Sequence, residues 1–294
     1  MTLTLTRGKR LLLFGLITLL CFVLTSVAVG LIMALGGAAD AKWMRIAAVV
    51  QDIMLFVVPP LITAVLVTRL PAKLLCIDKG VDARFLLSAV LTMVLSIPAM
   101  NFIIEWNESI QLPESMAGIE RWMRASEENA REYMNMMLGG TSVMTLIVNI
   151  LIVGVLAGFS EELFFRGGLQ RLLTTGGISA GWSIAIVAFI FSAVHMQFYG
   201  FVPRMLLGVY FGLALVWSRS LWVPVILHAL NNSIYVYGQW LSERGAFSGD
   251  ESPFETVGTE EWLLPLASAI AVAAGIYTLY RFRVKESVEN TDKK

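Results

Sequence analysis

The residues of this sequence most able to do chemistry are Glu161, Glu162, Arg166, His195, His228 and Asn232. Each lies in an otherwise apolar stretch, and they include both histidines of the chain. An ionisable side chain at the centre of a membrane helix costs about 2.5–3.5 kcal/mol to insert, so its retention points to a function. Glu161 could act as a general base toward a water molecule, with His195 holding that water or sharing its proton. His228 and Asn232 could donate hydrogen bonds to an oxygen that turns negative at a tetrahedral centre. Together these roles amount to water attack on an amide, with no cofactor. Glu161, His195 and His228 could instead hold a divalent metal such as zinc, with a water in the open position. No HExxH pattern occurs, so the usual zinc-peptidase signal is absent. A reading from another class makes the protein a non-enzymatic membrane scaffold or a transporter-like protein, whose Glu and His relay protons or bind a partner helix. Against it, the chain lacks the two similar halves that many transporters show.

Helix geometry assigns faces to these residues. Side chains four apart share a face, and adjacent ones point about 100° apart. Glu162 and Arg166 are placed to pair, so Glu161 points elsewhere. Gly154 and Gly158 make a small-xxx-small face that admits a neighbouring helix closely. Glu161, three residues beyond Gly158, shares nearly that face and should point into the bundle. Gly208 and Gly212 offer a second close-packing face. His228 and Asn232 share a face, and Phe191 sits one turn before His195. The depths of Glu161, His195 and His228 along their helices fit one buried cavity entered from the cytoplasmic side. Asp52 and Asn149 are further polar residues in apolar stretches, with no role assigned.

The elements that must position these groups follow from composition. Only 15% of the 294 residues are charged and 57% are hydrophobic, whereas soluble domains carry roughly 25% charged residues. Mean hydropathy is +0.72. About 20 apolar residues cross the bilayer core of about 30 Å. The pattern predicts an all-α, polytopic transmembrane bundle of about eight helices, at 11–36, 46–69, 85–104, 143–173, 183–199, 203–218, 221–241 and 262–281. Pro59 and Pro60 should kink or break the second. The first run is too long for a signal-peptide core of roughly 7–15 residues, so it reads as a retained helix.

With the N-terminus inside, Arg7, Lys9, Arg10, Arg69, Lys73, Lys79, Arg84, Arg281, Arg283, Lys285, Lys293 and Lys294 all fall on the cytoplasmic side, as the positive-inside rule asks. Both termini are then cytoplasmic. Residues 105–142 read as an acidic extracytoplasmic loop. There Trp122, Met123, Tyr133, Met136 and Met137 either lie on the membrane surface or belong to a solvated loop with a short helix. Residues 242–261 read as a second acidic loop. The whole chain, 1–294, forms one membrane domain, with 143–241 as its motif-bearing core. Zero formal net charge gives no footing for nucleic-acid binding. The expected partners are membrane lipid and a peptide or protein substrate in or near the membrane. Cys21 and Cys76 match no disulfide or metal spacing. The protein is expected to be an integral membrane protein, in the cytoplasmic membrane of a prokaryote.

The polar residues also form a pattern. Glu161-Glu162-Leu163-Phe164-Phe165-Arg166 reads EExxxR, Phe191 to His195 reads FxxxH, and His228 to Asn232 reads HxxxN. In this order, within apolar helices, the three motifs resemble the CPBP family of CAAX proteases and bacteriocin-processing enzymes, also called Abi, which includes the type II CAAX prenyl endopeptidases. The resemblance covers roughly residues 145–240. It implies an intramembrane protease in which Glu161 and His195 activate water, His228 and Asn232 form the oxyanion site, and Glu162 and Arg166 support them. It favours glutamate-type over metal-dependent hydrolysis. The prenylated substrates of some members do not follow from it.

Overall fold

A computed structural model describes residues 3, 5–37, 40–246, 257 and 262–283. Helix α1 is Arg7–Gly36. Helix α2 runs over Ala41–Val67. Helix α3 is Ala83–Leu95, continuing across a 46° bend as Ile97–Glu108. Then come α4, Ala117–Leu138, α5, Val143–Thr175, α6, Ala180–Ala193, α7, Phe201–Ser218, α8, Trp222–Glu243, and α9, Leu263–Phe282. The starts of four helices are set by side chains that accept the first free backbone N–H groups. Asp40 caps α2, Asp82 caps α3, Ser142 caps α5 and Ser179 caps α6. The α3 bend falls at Ser96, just before Pro98, which removes a backbone donor and crowds the preceding turn.

Helices occupy all eight stretches predicted to span. By length and composition, five of those described can cross a membrane (α1, α2, α5, α7 and α9), or six if bent α3 is one span. The other two fall short for different reasons. Helix α6 has 14 residues, about 21 Å of rise against a core of about 30 Å. Helix α8 is long enough, but His228, Asn231 and Asn232 dilute its apolar surface.

Three expectations are corrected. The prolines do not break α2, because a π-helical turn at Asp52–Val57 precedes them and the helix resumes at Val58. The wider turn makes room where Pro59 and Pro60 supply no N–H. The predicted helix at 183–199 stops at Ala193, so His195 sits in the following turn, where Met196 takes a left-handed φ of 56°. Residues 105–142 are not mainly loop, since α4 is a helix of 22 residues. Its apolar side packs through Met137 and Leu138 against Met44 and Val236, in one core cluster. Residues 247–256 and 258–261 of the predicted second loop, and Lys285, Lys293 and Lys294, lie outside the described residues.

Helix α5 is the hub. It packs against α8, α6, α7 and α2. Gly154 and Gly158 let α8 approach so closely that a Cβ at Gly158 would sit 2.9 Å from the backbone nitrogen of Ala229. Gly208 and Gly212 do the same for α7, against Ala188 and Ile184 of α6 and Arg166 and Gln170 of α5. Helices α3 and α9 pair at one flank, joined to α7 and α8 through Phe85, Met93, Phe211, Leu227 and Leu279. On α1 the exposed Leu12, Leu16, Leu19 and Leu20 face outward. In a membrane domain such a surface meets lipid tails, which are as apolar as leucine itself.

Candidate active site

Helix α5 is not regular. Two π-helical stretches, Ile150–Leu156 and Leu163–Gln170, flank the short α-helical piece Ala157–Glu162. π-turns widen a helix and recur at functional sites. Here they bracket the two glutamates.

Glu162 and Arg166 form the pair that their spacing predicts. Arg166 Nη1 donates to Glu162 Oε1 at 2.8 Å, and both side chains are fully buried. Arg166 Nη2 also donates to the Gly208 carbonyl at 3.1 Å. The guanidinium lies 4.5 Å from the Phe191 ring centre and 5.5 Å from that of Phe211, within cation–π range. A buried charge is tolerated when paired and hydrogen-bonded; the pair is made here, while Glu162 Oε2 and Arg166 Nε have no hydrogen-bond partner among the described residues. Glu162 Oε1 has a second partner, His228 Nδ1, at 2.8 Å. Glu162 thus links the arginine of its own helix to the histidine of α8. With Nδ1 bound to the carboxylate, His228 turns Nε2 toward Glu161. The ring is further fixed by stacking on Phe211, with centroids 5.1 Å apart, and by the edge of Phe191 at 5.8 Å.

Glu161 points away from Arg166. Its Oε2 is buried, has no hydrogen-bond partner among the described residues, and lies 3.9 Å from His228 Nε2. That separation is too long for a direct hydrogen bond and suits two groups that share one water. His195 Nδ1 bonds the Phe191 carbonyl at 2.7 Å. Since a carbonyl only accepts, Nδ1 carries the proton and Nε2 is left free. Phe191 therefore touches Arg166, His195 and His228 and forms their common wall. Asn232 is more constrained than its spacing suggests. Its Nδ2 donates to the Val153 carbonyl at 3.1 Å, and its Oδ1 accepts from Asn231 at 3.4 Å. One N–H of its amide remains.

Two ionisable side chains near Glu161 have no place in the motifs. Asp52 is buried in the π-turn of α2, which packs against the Ala157–Glu162 piece. It interacts electrostatically with Glu161 and with Tyr133 of α4. Burial, with the Asp52 charge adding, pushes the Tyr133 phenol above its ordinary pKa. An aspartate in an apolar run is a visible signal for this residue. Arg204 of α7 acts electrostatically on Glu161 and His195. It stands near a helix start, where the sequence reads as a loop edge. Asn149 ties α2, α4 and α5 together, since it accepts from Arg45 Nε at 2.9 Å and donates to the Leu138 carbonyl at 2.7 Å.

The His195 turn is held from outside the motif-bearing core. Asn107 of α3 donates to the Phe198 carbonyl at 3.1 Å and accepts from Val202 N at 3.0 Å. Helix α4 covers it, with Trp122 5.0 Å from the Phe198 ring, Arg124 over Tyr199 at 4.7 Å, and Glu127 accepting from Tyr199 N at 3.2 Å.

Among the described residues no three His, Cys, Asp or Glu side chains gather with ligand spacing. His228 Nδ1 is committed to Glu162.

In comparison with known proteins, residues 143–234 match the family described as type II CAAX prenyl endopeptidase Rce1-like. The matched segment contains Glu161, Glu162, Arg166, Phe191, His195, His228 and Asn232. No curated protein and no solved structure matches the chain.

Proposed function

Residues 143–234 carry a CAAX-protease (CPBP) family domain, and from that premise we propose that this integral membrane protein is an intramembrane endopeptidase whose water is activated by Glu161 and His195. The observation that carries the reading is the unpartnered Oε2 of Glu161, held 3.9 Å from His228 Nε2 inside the helix bundle. A carboxylate kept without a protein partner loses hydrogen-bond energy of about 1–3 kcal/mol or more, and a water bound for reaction restores it.

Glu161 takes a proton from the water as its oxygen bonds to the carbonyl carbon of the substrate. The C=O electron pair moves onto the oxygen. His228 Nε2–H and the remaining N–H of Asn232 donate to that oxyanion. The C–N bond then breaks, and the amine leaves with the proton that Glu161 holds. His195, fixed through Nδ1 on the Phe191 carbonyl, presents Nε2 to the water. In this step both ring nitrogens of His228 donate, Nδ1–H to Glu162 and Nε2–H to the oxyanion. Arg166 Nη1 and His228 Nδ1 meet on the same oxygen of Glu162, which fixes the ring. Glu162 and Arg166 are thus positioning residues. The wall of Phe191, Phe211 and neighbouring apolar side chains excludes bulk water, which strengthens each of these interactions. No step requires a metal. The substrate is a peptide segment in or near the membrane, and a prenylated C-terminal peptide is the first to try, given the name of the matched family.

The test uses purified protein in detergent. Glu161→Ala, His195→Ala and His228→Ala should abolish peptide cleavage without loss of folded protein. Asn232→Ala should lower the rate about 10²–10³-fold, as expected for one oxyanion donor. Chelators should leave the wild type unaffected. Unchanged turnover by Glu161→Ala protein would overturn the reading.

A further inference from the structure

Arg204 is a cation without a carboxylate in contact, inside the domain and beside the site. Its Nη2 donates to the Gln197 side-chain carbonyl at 2.7 Å and its Nη1 to the Gln197 backbone carbonyl at 3.4 Å. Both partners are neutral. Among the described residues it makes no ion pair, although Glu127 and Glu161 act on it electrostatically from further away. Arg166 provides the contrast. It is fully buried, and it has a carboxylate at 2.8 Å and aromatic rings around it. Holding a charge in a membrane domain with no counterion in contact is costly, and such residues mark substrate or ion paths.

Arg204 is largely but not fully buried. Gly200 lies beside it, and a Cβ there would meet Nη2 at 3.2 Å, so the missing side chain leaves room for the guanidinium. Gln197 and Gly200 belong to the turn that carries His195. The guanidinium is thus anchored to the same turn as a residue of the proposed machinery. Its fork is built for planar two-oxygen anions.

We propose that Arg204 anchors a carboxylate of the peptide substrate beside the cleavage site. This rests on the endopeptidase reading above and deepens it. In a peptide the only ordinary two-oxygen anions are the C-terminal carboxylate and the side chains of Asp and Glu, and either fits the fork. Gln197 orients the guanidinium, and the bound carboxylate supplies the counterion that the protein does not.

The test works without a known substrate. Purified wild type, Glu161→Ala, Arg204→Lys and Arg204→Met are incubated in detergent with a library of apolar peptides, in two versions, one native and one with all carboxylates converted to amides. Cuts that depend on Glu161 are mapped by mass spectrometry. A hydrogen bond to a charged group contributes about 1.5–3 kcal/mol, so the wild type should cut the native library about 10- to 100-fold faster than the amidated one. In Arg204→Met that ratio should fall to about one, with Arg204→Lys intermediate, and melting curves confirm that both variants are folded. Cuts at a fixed distance from the chain end identify the C-terminal carboxylate as the ligand, and cuts at a fixed distance from Asp or Glu identify a side chain. Equal rates on the two libraries, or a ratio retained in folded Arg204→Met, would overturn the proposal while leaving the endopeptidase intact. No Glu161-dependent cut in either library would overturn both.

Discussion

The contact between α5 and α8 makes a sharp prediction, because two glycines one turn apart face different obstacles. At Gly158 an added Cβ would lie 2.9 Å from Ala229 N and 3.0 Å from Ala229 Cα, both backbone atoms. Ordinary contact begins at 3.4 Å, so Gly158→Ala must move the two helices apart by roughly 0.5 Å at that point. Ala229 adjoins His228, and Gly158 lies one turn before Glu162. The same shift acts on the 2.8 Å bond between His228 and Glu162 and on the 3.9 Å spacing to Glu161. Overpacking of this kind costs about 1–3 kcal/mol, partly offset by the better helix propensity of Ala, up to about 1 kcal/mol. The net stability change should be small. The rate is more sensitive, since a displacement of about 1 Å in a catalytic array can cost about 10²-fold. At Gly154 the Cβ would instead meet the Ser233 hydroxyl, which can rotate away. Gly154→Ala should therefore lose only the 2.6 Å bond from Ser233 to Ala229 O, about 1 kcal/mol, and keep most activity. Cleavage of the native peptide library and thermal melting in detergent, run on both variants, measure the contrast. Full activity in Gly158→Ala, or an equal loss in Gly154→Ala, would refute the reasoning that this one backbone contact sets the spacing of the site.

Other expectations are simpler. Arg166→Met leaves Glu162 buried without its cation and should destabilise the protein by about 3–5 kcal/mol in detergent unfolding; adding Glu162→Gln should recover a large part of that. Asn107→Ala strands the Phe198 carbonyl and the Val202 N–H, so it should cost roughly 2–4 kcal/mol of stability and loosen the His195 turn, seen as a lower melting temperature and slower cleavage. Burial pushes the Cys76 thiol above its ordinary range, so maleimide labelling at neutral pH should be slow in the folded protein, quicken as pH rises through the alkaline range, and become fast on unfolding.

Much of this architecture is legible in sequence because membrane insertion writes it there. The apolar runs locate the helices, and the four-residue spacing of Glu162 and Arg166 survives as a direct bond. The Gly154–Gly158 face meets α8 and the Gly208–Gly212 face meets α6 and α5, as small residues in membrane helices should. What periodicity cannot carry is the π-turns. At Asp52–Val57 the extra residue per turn keeps α2 continuous through two prolines and turns Asp52 inward. The end of α6 at Ala193 is also unmarked, because no Gly or Pro stops it and the turn is held by Asn107 from a distant helix. The amphipathic α4 is masked by the glutamates in and around it, as its buried side is completed only by Met44 and Val236 of other helices. The bond from Glu162 to His228 and the tether of Asn232 to Val153 are tertiary contacts. Spacing along one helix brings residues to a face and says nothing of which neighbour they meet.

The most direct test of the proposed water activation by Glu161 compares the membrane proteomes of cells making wild-type or Glu161→Ala protein at equal levels, with new chain ends mapped by mass spectrometry. The expected result is at least one fragment that is present with the wild type and missing with Glu161→Ala. Identical fragment patterns, with both proteins inserted and folded, would contradict it.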